Sequence, residues 1–461
     1  PQPSVSLPLL EKNPPLQSTP DTDFASFFRD TLVEPEEELL TREFEGYLGL
    51  KQTPLKSLSD ARNKLRQIHK ETGIKPAIIY AVFVPRTMPS DAEIDGERSL
   101  QAAQQQTGSP GTRQRQDSDQ LQLTLVLPDG PTIRKRVSGT TRQDVMKVAE
   151  QFRNEVTKIS SRPNSYLPPA QKMYQWLLTP LEKDLQAHDI QNLVFILDER
   201  LRSVPLAALH NGQSFLVEKY SVGLMPSFSL TDTRYTNLKN SHVLAMGASN
   251  FTNQKSLPAV PVELSAITSN LWPGKVLLNE ALTIENLRSQ RDSKPFSIIH
   301  LATHAMFLPG EPGNSYIQLW DTQLRLNQMQ QLGWNNPPVE LLVLSACKTA
   351  QGNTEVELGF AGLSVQAGVK SALASLWFVS DEGTMALMTK FYQELKQAPI
   401  KAEALRRTQV AMLKGEVRLE DGKLVTPGMV MPLPPELAQL GNQNLSHPKF
   451  WSAFTMIGNP W

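Results

Sequence analysis

A single cysteine, Cys347, stands in the 461 residues. No disulfide can form within the chain, and cysteine usage points to neither redox compartment. An excess of charge of one sign is also missing. The 46 basic residues balance the 46 acidic ones, which gives no reason to expect nucleic acid or an anionic membrane surface as the main partner. No apolar run approaches the length that spans a bilayer, so no membrane span is expected. The phosphate-cradling motifs GxGxxG and GxxxxGKS/T do not occur, and the lack of a GxSxG elbow counts against a serine hydrolase. Histidines 69, 188, 210, 242 and 447 show no ligand spacing, so neither a metal nor a cofactor is expected. The chain opens at Pro1 without an initiator methionine, as a fragment or processed form does. A signal peptide removed ahead of it would make the protein exported rather than cytoplasmic, and in either case soluble.

What is present divides into three parts. Residues 1–74 form a proline-rich lead-in followed by a helical segment. The spacing of Phe24, Phe27, Phe28 and Leu32, and of Leu39, Leu40, Phe44 and Tyr47, predicts two helices before residue 50. Leu58, Ala61, Leu65 and Ile68 predict a third, stopped at Gly73. Residues 75–239 read as an α/β half. It has a strand at 76–85, a polar loop over 89–119, and a hairpin around Pro128-Asp129-Gly130-Pro131. Helices at 142–160 and 169–187 and a buried strand at 192–197 complete it. Within the polar loop, Arg113, Arg115, Asp117 and Asp119 offer processing points, and the plainer reading is an inert insertion. Residues 240–461 alternate apolar runs and helical stretches, the pattern of a parallel sheet covered on both faces. Pro427, Pro432, Pro434 and Pro435 mark 415–446 as a surface excursion.

The chemistry gathers in this last part. The apolar run 341–344 leads to Ser345-Ala346-Cys347, and the run 297–302 leads to Thr303-His304-Ala305. Both residues fall where a strand gives out, and ligands in open α/β sheets sit outside the carboxyl ends of the strands. The interval between them holds one strand–helix–strand excursion, so the two strands can be neighbours. A thiolate is the nucleophilic form of cysteine, and a histidine beside it can take the proton and return it to the leaving amine. His300, inside the same run, reads as a core residue.

The runs HLATHA (300–305), LLVLSACKTA (341–350), ELGFAGLSVQAGVKSALASLW (357–377) and KAEALRRTQVAML (401–413) resemble the CHAT domain, a branch of the caspase/separase-like cysteine peptidases. The closing HPKFWSAFTMIGNPW (447–461) resembles CHAT domains of cyanobacteria. The resemblance implies a caspase-like, mostly parallel sheet flanked by helices, with a preceding half that lacks the dyad. In that half the Val204–Leu209 motif would lead to an edge hairpin. It also implies His304 as base, Cys347 as nucleophile, and the backbone amides of Ala305 and Cys347 as oxyanion donors. Two positions depart from the family. Ala305 stands where glycine is usual, which matters if the position needs positive φ. Lys348 replaces glutamate or glutamine, and a cation there favours the thiolate.

The stretch 375–382 resembles the wall along which substrate adds as a strand, with Ser375, Trp377 and Asp381 as candidate substrate contacts. Asp381 would select a basic P1 side chain. Alternatively, Ser380-Asp381-Glu382 is a helix cap with acidic first-turn residues. Glu355 and Glu357 read as solvated. The function implied is a cysteine endopeptidase acting on a protein or peptide, with a regulatory protein partner as a further possibility. The alternative is a catalytically inactive CHAT-fold interaction or scaffold module.

Overall fold

The computed structural model describes residues 34–86, 115–158, 164–251, 254–349 and 353–461, with side chains at all of these except 34, 270 and 346–349. The expectations for 1–33 and for the polar stretch up to Arg113 lie outside these residues.

In chain order the strands are β1 (Pro76–Val84), β2 (Gln120–Val126), β3 (Ile133–Arg136), β4 (Asn192–Leu197), β5 (Ser221–Leu224), β6 (Val243–Gly247), β7 (Gly274–Leu278), β8 (Ile298–Phe307), β9 (Tyr316–Gln318), β10 (Gln323–Arg325), β11 (Leu341–Thr349), β12 (Ser371–Ser375), β13 (Arg418–Glu420), β14 (Lys423–Thr426), β15 (Met429–Pro432), β16 (Gln443–Asn444) and β17 (Phe454–Gly458). Thirteen of them form one mostly parallel sheet flanked by helices, in the order β10-β9-β8-β11-β12-β17-β5-β4-β1-β2-β3, with β6 and β7 continuing from β8. The α/β class follows as expected. Residues 415–446, read as a surface excursion, contribute a second sheet of their own, β15-β14-β13-β16.

The central strands β1 and β4 are apolar on both faces because both faces are covered. Along β1, Ala77, Ile79, Ala81 and Phe83 point into one apolar cluster, while Ile78, Tyr80 and Val82 point into the other. The second cluster is closed by the helix Leu58–Thr72, whose Leu58, Ala61, Leu65 and Ile68 form its buried stripe. That helix begins and ends where the sequence says it should. Ser57 and Asp60 make a reciprocal capping box, and Gly73 takes the left-handed conformation that ends the helix. The helix Glu34–Leu48 docks beside it, with Leu40 and Phe44 fully buried.

Two expectations about the first half are corrected. The helix expected over 169–187 is broken into Leu167–Leu177, a tight turn at Thr179–Leu181, and Glu182–Ala187. Pro180 has no N–H to give and disfavours the helical conformation in the residue before it. The Val204–Leu209 motif is expected to lead to an edge hairpin, but the strand that follows it, β5, is interior. It pairs with β4 on one side and, through Leu224 and Ile457, with β17 on the other. Because β17 is antiparallel to β12 but parallel to β5, it joins the strands of the two halves in opposite directions.

Candidate active site

Strands β8 and β11 are parallel neighbours. Their rungs run from Leu341↔Ile298 to Leu344↔Leu301 and resume, after a shift, at Ala346↔His304 and Cys347↔Ala305. One extra residue lies on the β8 side of that shift. A bulge of this kind bends the strand and re-aims the side chains that follow. On the other edge of β8, β6 pairs only as far as Gly247↔Ala302, and β9 takes over at Ala305↔Ile317. Thr303 and His304 therefore occupy the gap between two successive partners. Gly247 permits the close approach here, since a Cβ would lie 2.7 Å from both the Ala302 carbonyl and Val260 Cγ1.

The order β7-β6-β8-β11-β12 reverses direction between β6 and β8. Such a reversal opens a crevice at the carboxyl ends of the strands, where ligands of open α/β sheets bind. His304 stands at that crevice. Both strands were expected to stop at the candidate residues. They instead continue to Phe307 and Thr349, joined by the rungs Lys348↔Met306 and Thr349↔Phe307. Pairing depends on backbone groups and so outlasts the apolar runs by which the sequence marks a strand. Of Cys347 the structure describes the backbone, which lies beside Ala305.

The His304 ring is half-buried against Phe251, with centroids 4.8 Å apart. Its Nε2 lies 2.7 Å from the Lys255 carbonyl. A carbonyl only accepts, so Nε2 carries the proton and Nδ1 is left as the basic nitrogen. Burial pushes the imidazole below the usual histidine range, and the nearby Lys255 charge adds to this against the opposing hydrogen bond. A neutral imidazole at neutral pH is the form that can accept a proton.

Asp381 opens the helix Asp381–Leu395, but Ser380 caps it by accepting from the Gly383 N–H. The Asp381 carboxylate turns elsewhere and accepts the Ala259 N–H at 2.6 Å. Burial, then the charges of Glu263 and Glu382, push its pKa up to about 7, against the Ala259 hydrogen bond and Lys255. The short segment 255–259 thus holds both His304 and Asp381. Beneath it His300 is fully buried, with Nε2 2.7 Å from Glu263 and Nδ1 3.2 Å from the Tyr392 hydroxyl. It is the satisfied core histidine the sequence suggested.

The other two candidate wall residues are interior. Ser375 is buried in β12 opposite Phe454. Trp377 is buried and donates its indole N–H to the Lys449 carbonyl. Neither presents its side chain to solvent, whereas Phe378, next in the chain, is exposed. Arg113 lies outside the described residues, and the other three charged residues at the end of the polar loop are engaged or buried. Arg115 pairs with buried Asp198 at 2.6 Å, Asp119 is itself buried, and Asp117, though exposed, pairs with Arg142. Ala305, a concern if positive φ were required, lies in β8 just after the bulge and is not among the positive-φ residues.

One residue was misread. Glu355 is exposed, but Glu357 is only 3% exposed and accepts the Ser203 hydroxyl at 2.5 Å. Burial raises its pKa. The signal was available: within TEVELGFA, Glu357 lies between Val356 and Leu358 in a helix with no polar face.

Among the described residues no group of three or more histidine, cysteine, aspartate or glutamate side chains is placed to hold a metal. No helix among them is long and apolar enough to cross a membrane.

A family model described as "CHAT domain" matches residues 167–459, well over half of the chain. No curated protein matches it in sequence. Among solved structures it is similar to the Saccharomyces cerevisiae separase in complex with securin, at a TM-score of 0.43 and 11% identity over 87% of this chain and 31% of that one. The chain thus spans less than a third of the separase chain. It is also similar to RgpB of Porphyromonas gingivalis, in a complex of pro- and mature domains, at a TM-score of 0.38 and 9% identity over 69% of this chain and 75% of that one.

Proposed function

The chain belongs to the CHAT domain family, and from that premise we propose that it is a cysteine endopeptidase of the caspase-like type. His304 Nδ1 takes the Cys347 proton, and the thiolate attacks a peptide carbonyl. The amine leaves with the proton returned by His304, and water then releases the acyl group. The observation that carries this reading is the pairing of β8 with β11, which sets the backbones of His304 and Cys347 side by side next to the switch point, with the histidine tautomer set by the Lys255 carbonyl. The backbone amides of Ala305 and Cys347 are the proposed oxyanion donors. Asp381 is the proposed recognition group for a basic P1 side chain. An incoming guanidinium or ammonium would favour its ionised form, which burial otherwise disfavours.

One observation favours the second reading, a catalytically inactive interaction module. Ala305 has ladder partners on both sides, Cys347 and Ile317, so its amide lies in the plane of the sheet, where an oxyanion donor must be free. The two readings separate on the rate of Cys347 alkylation by iodoacetamide against pH, in wild type and in His304→Ala. A thiol that reacts well below its usual value of about 8.5, and loses this in the variant, supports the peptidase. An ordinary thiol indifferent to His304 refutes it and leaves the scaffold.

A further inference from the structure

Glu357 lies on the helix Thr354–Ala361, the first element after the cysteine strand, and the groups around it come from the half of the chain that carries no dyad. Ser203, beyond the end of β4, donates its hydroxyl to Glu357 Oε1. Burial raises the Glu357 pKa, and the charges of Arg202, next to Ser203 in the chain, and of Arg153, on the helix Arg142–Thr157, act against that rise. Arg153 does a second thing. Its Nη2 donates at 2.9 Å to the carbonyl of Leu376, the first residue after β12, which pairs with the cysteine strand through Val343↔Leu373. The Leu376 N–H is held by the Ala453 carbonyl. Two segments of chain flank the site, the helix after Cys347 and the end of the next strand. Both are held by residues of the first half.

The anchorage continues behind these groups. Arg202 is 2% exposed, donates to the Leu197 carbonyl at 2.9 Å, pairs with Glu43 at 2.6 Å and lies over the Phe44 ring. Glu43 also meets Arg115, which pairs with buried Asp198. The N-terminal helix, the end of β4 and the post-cysteine helix are thereby joined in one charged cluster.

Such a cluster is a poor way to stabilise a protein. Removing charges from water is expensive, and the return is good only when every polar atom is satisfied. Here Glu357 Oε2, Arg153 Nε and Arg202 Nη1 are buried without a hydrogen-bond partner. Apolar side chains of similar volume would fill the same space at no loss of stability. What they would not supply is direction, since a hydrogen-bonded charge fixes the position of its partners and an apolar contact does not.

We propose that Arg153, Ser203 and Glu357 form a buried clamp by which the first half of the chain positions the post-cysteine helix and the end of β12 around Cys347. They are positioning residues, and the inference rests on the peptidase reading of that site. The test uses the full chain and the double variant Arg153→Met/Glu357→Leu, which removes both side chains together. The variant strands the Leu376 carbonyl and the Ser203 hydroxyl, so a modest fall in melting temperature is expected. It should also show faster amide hydrogen exchange over 354–361 and 372–378, and an alkylation rate of Cys347 by iodoacetamide at pH 7 lowered roughly tenfold, as small misplacements at reactive groups produce. Unchanged exchange and alkylation overturn the proposal. So does exchange that rises by the same factor throughout the chain, because that reports a general loss of stability and not a local role. Should the double variant fail to fold, Ser203→Ala removes a single hydroxyl and must show faster exchange over 354–361 alone, or the clamp is refuted. Failure of the underlying reading looks different: the wild-type thiol is then ordinary and unaffected by His304→Ala, while exchange over 354–361 still reports on the clamp.

Discussion

Replacing Asp381 by asparagine should stabilise the protein at neutral and alkaline pH and leave it unchanged in acid. The carboxyl is raised from 3.8 to about 7, chiefly by burial. Between those values the folded protein keeps a proton that the unfolded chain has released, so stability is highest below pH 4 and falls as pH rises through 7. Each tenfold change in proton affinity is worth about 1.4 kcal/mol, which sets a ceiling of about 4 kcal/mol on the loss. Asp381 is not wholly enclosed, and solvent screening lowers the expected value to about 2–4 kcal/mol. Asparagine has the same shape, stays neutral, and keeps an oxygen to accept the Ala259 N–H. Urea unfolding midpoints of wild type and Asp381→Asn, taken from pH 4 to 8.5, measure the difference. It should be small at pH 4, grow up to about pH 7 and level off above that. A difference that is constant with pH, or that shrinks toward alkaline pH, refutes the reasoning. Under the peptidase reading the same variant loses preference for arginine or lysine at P1, so the residue that lowers stability would be the one that selects substrate.

Three further outcomes are expected. Because burial lowers the His304 pKa, the acid limb of kcat/KM against pH should lie below 6.5, and a limb at or above that value contradicts the described environment. Gly458→Ala should cost about 2–4 kcal/mol in a thermal melt. At φ +84° its new Cβ would lie 2.6 Å from the Lys370 carbonyl and Ser364 Oγ, at the strand that joins the two halves. Phe44→Ala should cost about 3–5 kcal/mol, since the ring is fully buried under Arg202; a loss under 1 kcal/mol would mean that the N-terminal helix is not part of the core.

Much of this protein was legible from local pattern. The stripe Leu58, Ala61, Leu65, Ile68 with Ser57 before it and Gly73 after it specifies a helix and both its ends. The run 192–197 was read as a buried strand and is β4. His304 and Cys347 stood out because a lone thiol and an imidazole each follow an apolar run, and such runs become strands whose ends face a crevice.

Tertiary structure decided what depends on partners distant in sequence. Nothing near Ser221 indicates that β5 is interior, because the strand that covers it, β17, lies at the far end of the chain. The bulge between Leu301 and His304 exists only as a mismatch of rungs with β11. Asp381 and Ser380 share one sequence signature, yet only Ser380 caps the helix, because the Ala259 N–H stands within reach of the Asp381 carboxylate. The apolar neighbours Val356 and Leu358 hint that Glu357 is buried, but the groups that meet its carboxyl, Ser203 and the charges of Arg202 and Arg153, lie more than 150 residues earlier. Periodicity, caps and turns act over a few residues, so the sequence by itself determines them. Strand order, burial of charge and the tautomer of a histidine depend on which remote groups the folded chain brings within about 3 Å, and those only the tertiary structure determines.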